Sequence, residues 1–193
     1  MAHKQQIRII AGKWRSRLVT FPDVVGLRPT GDRIRETLFN WLAPNITGSR
    51  CLDLFSGSGA LCFEALSRGA EHCLALEQHP QAAACLAENK ARLDAPGLTI
   101  TRKDSLTYLQ QRPDKPFDIV FVDPPFDLNL ITDVCNLLEK NDWVANGGAI
   151  YCELSTQQNN FTPPANWQVV RNKVTSGVNY LLFSRIESTA LFK

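Results

Sequence analysis

Four short apolar runs along this chain each lead to an acidic residue, and the stretches between them are long enough for a helix. They are Cys51-Leu52 before Asp53, Cys73 to Leu76 before Glu77, Leu98 to Thr101 before Arg102-Lys103-Asp104, and Ile119 to Val122 before Asp123. Short runs without polar alternation read as strands buried on both faces, the pattern of a parallel sheet covered by helices. Crossovers between parallel strands are right-handed, so the carboxyl ends of successive strands share one edge. That edge is where open α/β sheets bind ligands. The expected fold is a doubly wound α/β sheet with four carboxylates along one rim. Helical spacing marks Ala60 to Ser67, Ser105 to Gln111 and Leu128 to Leu138. Gly148 to Leu154 reads as a fifth strand, and Trp167 to Val174 with Tyr180 to Ile186 as an antiparallel pair around Ser176-Gly177. The turn-rich connection Asn159 to Asn166 carries Pro163-Pro164 and is too short for a domain linker.

After the first run comes Phe55-Ser56-Gly57-Ser58-Gly59-Ala60, a glycine turn that opens a helix. Gly57 and Gly59 let backbone approach a ligand closely, and the first N–H groups of the helix point toward it. A dinucleotide fingerprint would need a third glycine, and Cys62 stands there instead. Asp53 would also repel a pyrophosphate, whereas it can bind the ammonium of a ligand with an amino-acid end, such as S-adenosylmethionine. Phe55, Gly57, Ser58 and Gly59 are then the expected cofactor loop. Glu77 is placed to accept the ribose hydroxyls and Asp104, with Ser105, to meet the adenine. The plainer reading of Asp104 is a helix N-cap for Ser105 to Gln111, and both stay open.

The fourth run ends in Asp123-Pro124-Pro125-Phe126. Two prolines stiffen the loop and offer no N–H, so it presents acceptors. An exocyclic purine amine is a weak nucleophile because its lone pair is drawn into the ring. Hydrogen bonds from its two protons to Asp123 and the Pro124 carbonyl favour the tetrahedral geometry that frees the pair. Phe126 offers a ring for the base to stack on. The alternative is an ordinary strand-to-helix turn.

Net charge is +2, but residues 1 to 35 hold eight basic and two acidic side chains, which leaves the remainder at −4. A basic arm on an acidic body suits a nucleic-acid enzyme, because phosphates supply affinity while the acidic pocket is kept for cofactor and base. The expected nucleic-acid contacts are Arg8, Lys13, Arg15, Arg17, Arg28, Thr30, Arg33 and Arg35. Ile7 to Ile10 and Arg17 to Phe21 flank Gly12-Lys13 and suggest a basic β-hairpin, while Ile34, Leu38, Trp41 and Leu42 mark the core stripe of a helix. With 193 residues, 44% of them hydrophobic, the chain suits one core with an appendage, divided as extension 1–29 and main domain 30–193. No run is long enough to cross a bilayer and no signal peptide is evident, so a cytoplasmic protein is expected. Six scattered cysteines without a Cys-x-x-Cys pair read as buried thiols, and no metal site is expected.

These motifs, with Arg8-Ile9-Ile10-Ala11-Gly12, Leu27-Arg28-Pro29-Thr30, Asp32 to Phe39 and the block Leu52 to Ala70, resemble the class I S-adenosylmethionine-dependent methyltransferases, and closely the RsmD type. Cys62-Phe63 departs from the family, which places a small and an aliphatic residue there. The resemblance implies a seven-stranded Rossmann-like sheet in the order 3-2-1-4-5-7-6. It implies S-adenosylmethionine as cofactor, S-adenosylhomocysteine as product, and a guanine N2 of bacterial 16S ribosomal RNA as target. A monomer acting on an assembled or assembling small subunit is expected. The glycine turn and Asp-Pro-Pro alone would also admit a DNA adenine-N6 methyltransferase, or a non-catalytic RNA-binding assembly factor with a vestigial pocket.

Overall fold

The computed structural model describes residues 4–24, 26–27, 29–157, 161–175 and 177–187. Arg28, Ser176, Asn159 and Asn160 lie outside them. In chain order the elements are β1 (Lys4–Arg8), β2 (Leu18–Pro22), α1 (Asp32–Leu42), β3 (Arg50–Asp53), α2 (Ala60–Ser67), β4 (His72–Leu76), α3 (Pro80–Leu93), β5 (Leu98–Thr101), α4 (Ser105–Leu109), β6 (Phe117–Val122), α5 (Ile131–Lys140), β7 (Val144–Ser155), β8 (Trp167–Thr175) and β9 (Val178–Arg185). Seven strands form one sheet in the order β5-β4-β3-β6-β7-β9-β8. Numbered within that sheet the order is 3-2-1-4-5-7-6, as the resemblance implies. The first five run parallel, and β9 and β8 close the sheet antiparallel.

The central strands carry runs of consecutive apolar residues, Cys51-Leu52 in β3 and Ile119 to Val122 in β6, because both faces are covered. Ile119 and Phe121 of β6 face one core with α2 and the hairpin, while Val120 and Val122 face the other with α5. The same alternation sends Cys51 to the first core and Leu52 to the second. All eight residues of α2 are buried, which explains why it lacks a polar stripe. In α1 the stripe is as expected, with Leu38 and Leu42 buried and Trp41 stacked on Tyr180 at 5.5 Å between ring centres.

The hairpin β1–β2 pairs Ile7 with Val19 and Gln5 with Phe21. Ile7, Ile9, Trp14, Val19 and Phe21 are buried in the same cluster as α1, α2 and the sheet. Its loop is tied down by backbone bonds, from Lys13 N to the Ser67 carbonyl (2.8 Å) and from Trp14 N to Ser67 Oγ (3.0 Å). Thr20 N meets Asn89 Oδ1 of α3 at 3.1 Å. One core thus crosses the 29/30 boundary. All six cysteines are buried free thiols. Among the described residues no helix is long and apolar enough to cross a membrane, and no group of three His, Cys, Asp or Glu is placed to hold a metal ion.

Candidate active site

Strand order reverses between β3 and β6, and the crevice at such a switch point is where doubly wound sheets take ligands. Asp53 closes β3, and Asp123 follows β6 two residues beyond Phe121, the register partner of Asp53. Asp53 is 2% exposed, and its Oδ2 has no hydrogen-bond partner among the described residues. Burial, the charge of Asp123 and that of Glu77 push its carboxyl up to about 7, against the backbone bonds at Phe55 and Cys62. A buried carboxylate oxygen without a donor is costly unless a ligand brings one.

The glycine turn lies against this group. Gly59 N donates to the Ser56 carbonyl (2.6 Å), Ser56 N to the Leu76 carbonyl (3.0 Å), and Gly57 N to Glu77 Oε2 (2.8 Å). Gly59 has φ +81°, and a Cβ there would sit 2.7 Å from the Phe63 ring and from Leu86 Cδ2. The Phe63 that departs from the family pattern thus packs directly on the glycine. Ser58 is buried, and Phe55 is half-buried against the second core. Glu77 also accepts from His79 N through Oε1 (2.7 Å), so each carboxylate oxygen takes one backbone donor and keeps a lone pair. Asp104 caps α4, its Oδ1 accepting from both Thr107 N and Thr107 Oγ1 at 2.8 Å, so the cap reading is realised with one oxygen. Ser105 is buried and donates its hydroxyl to the Leu54 carbonyl, a tie between α4 and the end of β3.

In the Asp-Pro-Pro-Phe loop, Pro124 is buried, and Pro125 and Phe126 are half-buried. A 3₁₀ turn over Phe126–Leu128 uses the Pro125 carbonyl, which accepts from Leu128 N at 3.2 Å. Asp123 Oδ2 accepts from Thr30 Oγ1 at 3.0 Å. Burial pushes the Asp123 carboxyl up to about 6, and the Thr30 bond acts the other way.

Two expected RNA contacts therefore belong elsewhere. Thr30 is buried and holds Asp123. Arg35 is fully buried, its guanidinium donating to the carbonyls of Thr30 (3.2 Å) and Arg8 (2.9 Å), to Asp32 Oδ1 (2.6 Å) and to Glu64 Oε2 (3.5 Å). A guanidinium enclosed in this way has no face left for a phosphate. Arg8, Lys13, Arg15, Arg17 and Arg33 are exposed, Lys13 with its ammonium 4.1 Å from the centre of the Trp14 ring. Glu153 on β7 was not singled out by the sequence, although a carboxylate inside the apolar run Ile150 to Leu154 is the same kind of signal as the four strand-end acids. It is 4% exposed and accepts from the Tyr151 hydroxyl at 2.7 Å.

A sheet of this order is that of the class I methyltransferases that the sequence resembles. Residues 7–184 match the family described as conserved hypothetical protein 95. The chain is 47% identical over 180 residues to the ribosomal RNA small subunit methyltransferase D of Escherichia coli strain K12, covering 93% of this chain and 90% of that one. It is 43% identical to the protein of the same name from Haemophilus influenzae, over 93% of this chain and 94% of the relative. The solved structure of yhhF from Escherichia coli superposes with a TM-score of 0.89 at 44% identity, covering 94% of this chain and 99% of that one. The chain belongs to this family, that of the RsmD-type methyltransferases.

Proposed function

We propose that the protein transfers the methyl group of S-adenosylmethionine to N2 of a guanine in small-subunit ribosomal RNA, guanine 966 being the target that the resemblance implies. The observation that carries this reading is the pairing at the switch point: an unpartnered, buried Asp53 oxygen beside an Asp123 held by Thr30. The names of the relatives support ribosomal RNA as the substrate. Asp53 would hold the cofactor's ammonium, and its raised carboxyl would return to the ionised form beside that charge. The N-terminus of α2 suits the methionine carboxylate. Glu77 has lone pairs left for ribose hydroxyls, and Asp104 has its second oxygen for the adenine amine. When bound, the cofactor supplies a methyl group already activated by its sulfonium.

The chain's own task is then alignment. Asp123 and the Pro124 carbonyl accept the two protons of the target amine, which turns its lone pair toward the methyl carbon for in-line displacement. No covalent enzyme intermediate is needed. The C–N bond forms as the C–S bond breaks, and the proton shed by nitrogen leaves afterwards to water. A paired or stacked guanine must be extruded to reach this depth, and Phe126 is the ring for it to stack on. The exposed Arg8, Lys13, Arg15, Arg17 and Arg33 are the proposed phosphate contacts, with Arg28 outside the described residues. Incubation with tritiated S-adenosylmethionine and, separately, small subunits, free 16S RNA and DNA tests the reading. Label recovered as N2-methylguanosine from RNA is the expected result. Label in DNA as N6-methyladenine would replace this reading with a DNA enzyme, and no incorporation anywhere would leave an assembly factor.

A further inference from the structure

Positive charge in this chain is not confined to the N-terminal arm. Residues 36–153 hold nine basic and sixteen acidic side chains, whereas residues 154–186 hold Arg171, Lys173 and Arg185 and no acidic one. Arg185 is already paired, its guanidinium donating to both oxygens of Glu139 at 2.7 and 2.9 Å. Arg171 and Lys173 are not. Both lie on β8, the last strand of the sheet, which is exposed from Gln168 to Val174, and among the described residues neither joins a salt bridge. The Arg171 guanidinium donates to the carbonyl of Val170 beside it (2.7 Å).

A bulge sets the face they take. Register partners in an antiparallel pair point to the same side of the sheet. Val169 pairs with Phe183 of the second core, but the register shifts at Val170, and Arg171 then pairs with Leu182 and Lys173 with Tyr180, both of the first core. Without the extra residue the two cations would lie on the other face, since a slip of one residue inverts a strand. The first core is the one that takes in the β1–β2 hairpin. The cations of β8 and the arm thus share one side of the sheet, at its two margins: the hairpin is tied to α2 and α3, which pack on β3, β4 and β5, and β8 closes the opposite end. Asp123 lies between them. Lys173, Tyr180 and Glu153 form one row across β8, β9 and β7, and Glu153 follows Cys152, the partner of Val122 just before Asp123. At about 4.8 Å per strand, three strands put the Lys173 backbone about 14 Å from that of Asp123. The space between is spanned by α1, which carries the exposed Arg33 and, further along, Trp41 stacked on the Tyr180 that partners Lys173.

We propose that Arg171 and Lys173 form a second RNA-binding surface, which holds the substrate backbone on the side of the target pocket opposite the arm. Edge strands also use lysine to keep other chains from pairing with them, but such a guard works from either face. Here the charge is turned to the face that the arm occupies. A polyanion is then attracted on both sides of the extruded base, with the acidic body between. The inference rests on the proposed function, which makes RNA the substrate.

The test is binding of the full-length protein to small ribosomal subunits and to free 16S RNA over a salt series, for wild type, the double variant Arg171→Gln/Lys173→Gln, and Lys115→Gln. Lys115 is exposed in the loop before β6, at the sheet edge away from Asp123. The double variant should bind more weakly, and its log-affinity to log-salt slope should flatten by about 1.4–1.8 for two lost contacts, with cofactor affinity and melting unchanged. Lys115→Gln should match wild type. An unchanged slope in the double variant overturns the proposal. Equal flattening per charge in Lys115→Gln also overturns it, because net charge alone would then account for the effect. Weaker binding to subunits with no flattening would assign the strand to a protein of the particle, and a wild-type dimer in sedimentation that the two changes dissociate would assign it to a second copy; either result overturns the RNA surface. Incubation of the wild type with tritiated S-adenosylmethionine separates the two readings. Wild-type protein that labels no RNA refutes the proposed function and this inference with it, whereas RNA labelled by the wild type but bound equally well by the double variant refutes this inference alone.

Discussion

Arg35→Ala separates a structural arginine from a phosphate ligand. In the folded protein this guanidinium is 0% exposed and has four acceptors, and the Glu64 carboxylate it faces is equally buried. Glu64 also accepts from Ile10 N (2.8 Å), Ala11 N (3.0 Å) and Arg68 Nε (2.7 Å). Removing Arg35 leaves that carboxylate with one cation in place of two, and it leaves the Thr30 and Arg8 carbonyls without their donor. Breaking a buried pair by deleting one partner costs about 3–5 kcal/mol. At about 2–4 °C per kcal/mol for a chain of this size, the melting temperature should fall by roughly 6–20 °C. Arg35→Lys should recover little, because an ammonium cannot span a planar set of acceptors. A surface arginine that bound phosphate would behave in the opposite way, with stability within about 0.5 kcal/mol of wild type and a log-affinity to log-salt slope flatter by about 0.7–0.9. Thermal unfolding and RNA binding over a salt series, both on the purified variant, give the two readouts. A melting point within about 2 °C of wild type together with a flattened slope would refute the structural role.

The Asp53 carboxyl must ionise to hold an ammonium, so cofactor affinity should weaken as pH falls below about 7. Asp53→Asn should bind more weakly and lose that dependence, as calorimetry at several pH values would show. Asp123→Ala should lower the turnover rate by on the order of 10²–10³ with cofactor affinity nearly unchanged, the pattern of a contact made to the reacting amine. Charge removal at Lys13, Arg15, Arg17 or Arg33 should weaken RNA binding and flatten the salt slope by about 0.7–0.9 for each real contact, with melting unchanged. An unaltered slope in all four would place the RNA on another surface.

The carboxyl rim was legible because strand ends are local: Asp53, Glu77 and Asp123 each follow an apolar run whose length alone sets where the chain leaves the sheet. Arg35 was not legible. It sits among Asp32, Arg33 and Glu36 and reads as a nucleic-acid contact of the basic arm, while its partner Glu64 lies 29 residues later in a helix otherwise apolar on every side. A lone carboxylate in such a helix signals a buried ion pair, but sequence does not say with which cation. Thr30 escaped for the same reason, its partner being Asp123, 93 residues away. Local cues also competed at Asp104, where capping of α4 and ligand binding ask for the same side chain in the same place. Helix α3 left a faint trace because Leu86 and Leu93 are its only large apolar residues, the rest of its buried side being Ala82, Ala83, Cys85 and Asn89.

Glu64 grips the backbone just after β1 and, through Arg35, the loop that carries Thr30 to Asp123. The hairpin and the Asp123 carboxylate are thereby fixed to one anchor, like the two jaws of a calliper set to a single opening. On the proposed function, an RNA held by the arm would have to present its guanine at that span. On that reading, an RNA whose folding had not yet fixed the distance between the held backbone and the extruded base would be bound but out of reach.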